Sequence, residues 1–232
     1  MPSDHDHSTY QRALLWCGAI GAPLFVVVFL IVDALPAIRP AGYNPLRHPV
    51  SSLAIGPSGW IQAGNFLVSG MLLLAFAVGL RPALRRYNGG IWAPVLVGLI
   101  AIGMIGAGLF TADPLSGYPP GTLAVPSGTT RTIHGVLHQA LSALVFLGLP
   151  AACCVLGYRF ARSGRKWWAC YSIGTAVVFL TGFVLADMGF AQNPTLVSIG
   201  GLLQRLTLIT GLAWLTALAL HLIRQSRTSG SF

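Results

Sequence analysis

The stretch Tyr43-Asn-Pro-Leu-Arg-His-Pro-Val-Ser-Ser-Leu53 separates two long apolar runs, residues 13–35 and 60–80. Each run is about 20 residues long, enough to cross a bilayer core of ~30 Å. The segment between them is polar and stiff. Pro45 and Pro49 each fix a φ angle and push the preceding residue toward extended backbone. Arg47, His48, Ser51 and Ser52 are therefore held at set positions between two spans. A span, a rigid polar connection and a second span describe a polytopic membrane protein.

The composition agrees. Only 8% of the 232 residues are charged and 54% are hydrophobic, against about 25% charged in a soluble domain. So few charges cannot cover a water-facing surface. Further apolar runs at 91–111, 133–157, 167–186 and 198–223 bring the total to six. The expected fold is all-α: a single six-transmembrane-helix bundle over residues 13–224, with disordered tails at 1–12 and 225–232. His5 and His7 fall in the first tail. The first run is too long for the ~7–15-residue core of a signal peptide. Cys17, Cys153, Cys154 and Cys170 lie in or beside apolar runs and form neither a metal pair nor a disulfide framework.

The net charge is +9 and there is no glutamate. The basic residues flank spans rather than build a surface, so they read as topology signals, and no nucleic-acid partner is expected. Ten of them crowd the second and fourth connections and the termini: Arg81, Arg85 and Arg86; Arg159, Arg162, Arg165 and Lys166; and Arg12, Arg224 and Arg227. The other connections hold only Arg39, Arg47 and Arg131. Both termini are thus expected in the cytoplasm, with the long Pro/Gly/Ser-rich connections 36–59 and 112–132 outside.

That orientation gathers polar residues in the outer leaflet. The odd spans end outside with Asp33, Asp113 and Asp187, which hints at a three-hairpin repeat. The even spans begin outside with Gln62 and Asn65, then His134 and His138, then Gln204 and Arg205. A carboxylate at a helix C-terminus opposes the macrodipole. An arginine at membrane depth costs at least ~2.5 kcal/mol. Both costs fall if Arg205 pairs with one of the three aspartates. His134 and His138 are four apart and share a helix face. With Asp113 or Asp187 they are candidates for acid/base work or, weakly, for a two-His, one-carboxylate metal site. They are expected to point into the bundle beneath the 43–53 segment. Ser51 and Ser52 lack the Gly-x-Ser-x-Gly elbow of a hydrolase and read instead as caps of a short outer helix. Trp16, Trp60, Trp92, Trp167 and Trp168 sit near span ends as interfacial anchors. The glycine-rich run 98–108 allows close helix contact.

Arg47-His-Pro-Val-Ser-Ser-Leu53, Asp113-Pro, Tyr118-Pro-Pro-Gly121, His134-Gly-x-x-His138 and Gly201-Leu-Leu-Gln-Arg205 together resemble the prokaryotic integral-membrane family called domain of unknown function 998. More distantly, the proline–serine segment is similar to the Frag1/DRAM/Sfk1 group of six-helix proteins, whose members are linked to lipid remodelling or to scaffolding lipid enzymes. The resemblance implies a multi-pass protein of a prokaryotic plasma membrane and no established activity.

Three functions follow as expectations. The first is an outer-leaflet pocket for a lipid or other amphiphile, contacted by Arg47, His48, Ser51, Ser52, Asn65, His134, His138, Gln204 and Arg205. The second is a membrane-embedded enzyme using His134, His138 and an aspartate. The third is a structural partner protein whose Asp33, Asp113, Asp187 and Arg205 only lock the fold. No cofactor is expected, the bilayer is the expected partner, and the residues name no protein partner. The orientation has a direct check: a reporter fused to the C-terminus is expected to be active in the cytoplasm, and activity on the other side of the membrane overturns it.

Overall fold

The computed structural model describes residues 4–84, 90–125 and 131–228. Six α-helices carry the chain: α1 Asp4–Ala34, α2 Gly59–Ala83, α3 Trp92–Leu109, α4 Ile133–Arg162, α5 Lys166–Phe190 and α6 Gly200–Thr228. All six are long and apolar enough to cross a membrane. The described residues hold no strand beyond an isolated bridge between Leu115 and Tyr118. The chain is an all-α integral membrane protein, and the bilayer is its environment.

The helices outrun the apolar spans. α1 begins at Asp4, inside the segment expected to be a disordered tail, and α6 runs on to Thr228, past the expected boundary at 224. Nucleating a helix is the costly step and extending one is cheap, so a span that must be helical carries its polar flanks with it. Near these ends Arg12 Nη2 donates to the Ser226 carbonyl at 3.0 Å. Arg85 and Arg86, used above to set orientation, lie outside the described residues.

Each helix packs against its neighbours in the chain, and α6 packs back against α1, so the six form a closed ring in chain order. In lipid there is little hydrophobic drive between helices, and close backbone approach takes its place. The run 98–108 supplies it between α3 and α4. A Cβ on Gly106 would lie 2.3 Å from Leu141 Cδ1, and one on Gly103 would lie 2.6 Å from the Leu141 carbonyl oxygen. All four cysteines are free thiols.

The two ends of the ring differ. Through the half nearer the termini the centre is filled by the fully buried Trp214, Phe160, Leu156 and Phe76. The Trp214 indole N–H donates to Ser172 Oγ at 3.0 Å, so its one polar atom is satisfied. Trp60, Trp92 and Trp167 are exposed in the first turns of their helices, and Trp16 is exposed about three turns into α1, as interfacial rings are. Trp168, also expected as an anchor, packs inward on His221 with centroids 4.4 Å apart.

At the far end, away from both termini, a 3₁₀ helix at Val50–Ala54 lodges against α1, α2 and α6. Pro49 caps it with extended backbone, φ −63° and ψ 152°, and no side chain makes a capping bond. The expectation that Ser51 or Ser52 opens this turn is therefore corrected: the restricted φ of proline does so.

Candidate functional site

Arg205 organises the far end. It lies on α6 and is only 5% exposed. Its Nε donates to Asp33 Oδ2 at 2.8 Å and its Nη2 to Asp33 Oδ1 at 2.9 Å. This bidentate pair is the strong form of a charged hydrogen bond. Nη1 donates to the carbonyls of His48 and Gly201, both at 3.0 Å. Nη2 also donates to the Tyr43 hydroxyl. All five guanidinium protons are thus committed. Of the three aspartates, the structure pairs Arg205 with Asp33, the one farthest away in sequence.

The same residues seat the 43–53 segment on α6. The Tyr43 hydroxyl accepts from Arg205 and donates to the Pro49 carbonyl at 2.9 Å. Burial pushes its pKa well up, which keeps the phenol protonated as that donor. Gln204 Oε1 accepts from the Val50 N–H at 2.8 Å, and the Leu202 N–H donates to the Leu46 carbonyl at 2.9 Å. The backbones come so close that a Cβ on Gly201 would lie 2.5 Å from both the His48 and Pro45 carbonyl oxygens. Only glycine fits there.

His48 joins this segment to the next long connection. Its Nδ1 accepts the Asn44 N–H at 2.9 Å, so the proton of the neutral ring sits on Nε2. The ring is bracketed by Tyr118 and Tyr43, with centroids at 5.2 and 5.5 Å. Burial, and then the charge of Arg47, push the His48 pKa below its ordinary 6.5. A second proton would also displace the Asn44 bond.

Beneath the 3₁₀ turn lies a cavity of about 520 Å³ that touches all six helices. Its polar lining includes Ser51, Ser52, Asp113, Arg131, His138, Asp187 and Gln204. Farther along the helices the lining turns apolar, with Met104, Phe146, Phe183, Leu208 and Leu212. Phe146 and Phe183 stack on one another at 4.8 Å. Ser52 Oγ is buried without a partner among the described residues.

The sequence candidates divide. Ser51, Ser52, His138, Gln204, Asp113 and Asp187 meet at the cavity. Arg47, His48, Asn65, His134 and Arg205 are not in its lining. Arg47, His48 and Arg205 belong to the seat above it. Asn65 Nδ2 donates to the Phe25 carbonyl at 3.0 Å and ties α2 to α1. The expectation that both histidines face inward is corrected. His138 is buried and its Nδ1 donates to the Phe110 carbonyl at 2.8 Å. His134 is exposed, with its ring against Phe110 at 5.6 Å, because the first turn of α4 stands beyond the last turn of α3, which ends at Leu109. Asp113 accepts from the Thr132 N–H and from Thr132 Oγ1, the latter at 2.7 Å, and so braces the N-terminus of α4. Among the described residues no three histidines, cysteines or carboxylates converge as metal ligands.

Two features escaped the sequence reading. Tyr43 opens the decisive stretch, yet its bond to Arg205 leaves no periodic trace. Gln139 and Ser142 line the cavity, but no motif marks them.

A family model for "Protein of unknown function (DUF998)" matches residues 19–221. The chain belongs to this family. The match takes in the greater part of all six helices, with the Asp33–Arg205 pair and the cavity between its ends. No curated protein and no solved structure matches the chain.

Two outcomes follow. Arg205→Ala strands Asp33 and is expected to cost about 3–5 kcal/mol, read as a sharp fall in melting temperature in detergent. Combining it with Asp33→Asn is expected to cost less than the sum of the two single changes, and strict additivity would count against the pair. For His48, the unfolded chain takes up a proton below pH 6.5 that the folded ring resists. Its stabilisation is therefore complete above that pH and declines as pH falls toward the lowered folded value. Melting temperature is expected to drop between about pH 7.5 and about pH 5.5, and His48→Gln to flatten that drop.

Proposed function

We propose that this protein binds a lipid or other amphiphile of the outer leaflet in the cavity beneath the 43–53 segment. In this reading it is a lipid-binding or transport-assisting module of a prokaryotic plasma membrane, with both termini cytoplasmic and the far end facing out. The asymmetry of basic residues supports that orientation. Arg205 and Tyr43 hold the roof, and the ligand meets Ser51, Ser52, His138 and Gln204.

One observation carries the proposal: a single cavity joins a polar rim to an apolar interior of one leaflet's depth. From His138 to Leu149, both in its lining, α4 rises roughly 16 Å at 1.5 Å per residue. That is about half of a ~30 Å hydrocarbon core. The volume of about 520 Å³ falls in the usual range of small-molecule sites, ~300–1,000 Å³. A head group fits the rim and a chain fits the depth.

Native mass spectrometry and extraction of the protein purified in mild detergent test this. A stoichiometric amphiphile is expected. Ala143→Trp, which fills the cavity from an exposed lining position, is expected to expel it while the fold survives. No bound amphiphile in the native protein, or equal retention in Ala143→Trp, would refute the proposal.

A further inference from the structure

The rim of the cavity carries charges of both signs that do not neutralise each other. Arg131 and Asp187 both line it. Among the described residues the ion pair found is Arg205 with Asp33, so none joins Arg131 to Asp187. Both are exposed. Arg131 immediately precedes Thr132, the N-cap of α4, and Asp187 lies within the last turn of α5. A guanidinium and a carboxylate thus face one space from opposite helix ends. Asp113, the other carboxylate on the rim, is already engaged by Thr132.

Two buried groups reach the same space. His138 gives its Nδ1 proton to the Phe110 carbonyl, which leaves the lone pair of Nε2 as an acceptor. Ser52 lines the cavity, is 1% exposed, and its hydroxyl has no partner among the described residues. A buried hydroxyl left unbonded is unfavourable, so this atom points to a polar ligand group.

We propose that the cavity selects amphiphiles whose head group joins a primary ammonium to a phosphate, with Asp187 holding the ammonium and Arg131 the phosphate. This rests on the amphiphile reading above. A primary ammonium presents three N–H donors, which suit the Asp187 carboxylate and His138 Nε2. The planar guanidinium fork of Arg131 matches phosphate geometry, and Ser52 Oγ donates to a phosphate or ester oxygen. A quaternary ammonium has no N–H to give to the Asp187 carboxylate or to His138 Nε2. A purely anionic head group would satisfy Arg131 but sit between two carboxylates, and such like-charge contacts are penalised.

The test is competitive retention, by native mass spectrometry, of phosphatidylethanolamine, phosphatidylcholine and phosphatidylglycerol with identical chains. The protein is expected to keep the ethanolamine lipid over each of the others by roughly tenfold, the ratio that one charge-assisted hydrogen bond carries. Asp187→Asn is expected to erase the preference over phosphatidylcholine, and Asp187→Glu to restore part of it. Arg131→Gln is expected to weaken all three phospholipids alike. Equal or stronger retention of phosphatidylglycerol, or a preference untouched by Asp187→Asn, overturns the head-group assignment while the amphiphile reading stands. If none of the three is retained by a protein that still carries another amphiphile, the head-group assignment alone falls; if it carries none, both fall.

Discussion

A guanidinium in a membrane cannot escape its charge, because its pKa exceeds ~12. In this protein that constraint is met by enclosure. Arg205 has five protons and five acceptors: two oxygens of one carboxylate, two backbone carbonyls and a phenol. The acceptors come from α1, from the connection that follows it and from α6 itself. Satisfying one side chain therefore clamps the first helix, the last helix and the roof to one another. Gly201 lets the backbones close, and Gln204 and Tyr43 add bonds on either side. The stiffness that two prolines give the 43–53 segment becomes useful only because this clamp gives it a fixed seat.

The seat explains why the space below it stays open. The roof is held from α6 and α1 and braced by His48 against Tyr118, so it does not have to sink into the ring to satisfy its polar groups. At the end near the termini large rings fill the centre instead. The three aspartates that end the odd spans now have three different surroundings. Asp33 answers Arg205, Asp113 braces α4, and Asp187 stands exposed at the cavity rim. Their similar sequence positions reflect a shared boundary with water, and the structure gives them no shared task.

Six helices were legible because lipid demands about 20 apolar residues per crossing, and no tertiary contact overrides that demand. The boundaries were less legible. α1 and α4 run past their apolar spans at Asp4 and Arg162 because hydrophobicity marks the bilayer and not the end of a helix. The need of Arg205 for a carboxylate was readable from the price of a buried charge. Its choice of Asp33 was not, since ring closure between α6 and α1 leaves no local mark. The two histidines show the same limit. Spacing placed them on one face, but the point at which α3 stops decided that one is covered and the other is not. The apolar lining of the cavity is assembled from all six helices, which no single segment describes.

Ring closure also sets an order of assembly. Asp33 and Arg205 are separated by 172 positions, and synthesis delivers the N-terminal part first. Until α6 is made, Asp33 and the Tyr43 hydroxyl face the membrane boundary without their cation, and the 43–53 segment has no seat. A five-helix intermediate is thus an open sheet of helices with an unanchored roof and an exposed carboxylate. The last helix acts as the latch of the whole molecule. A chain that ends before α6 keeps a carboxylate at Asp33 with no guanidinium to answer it.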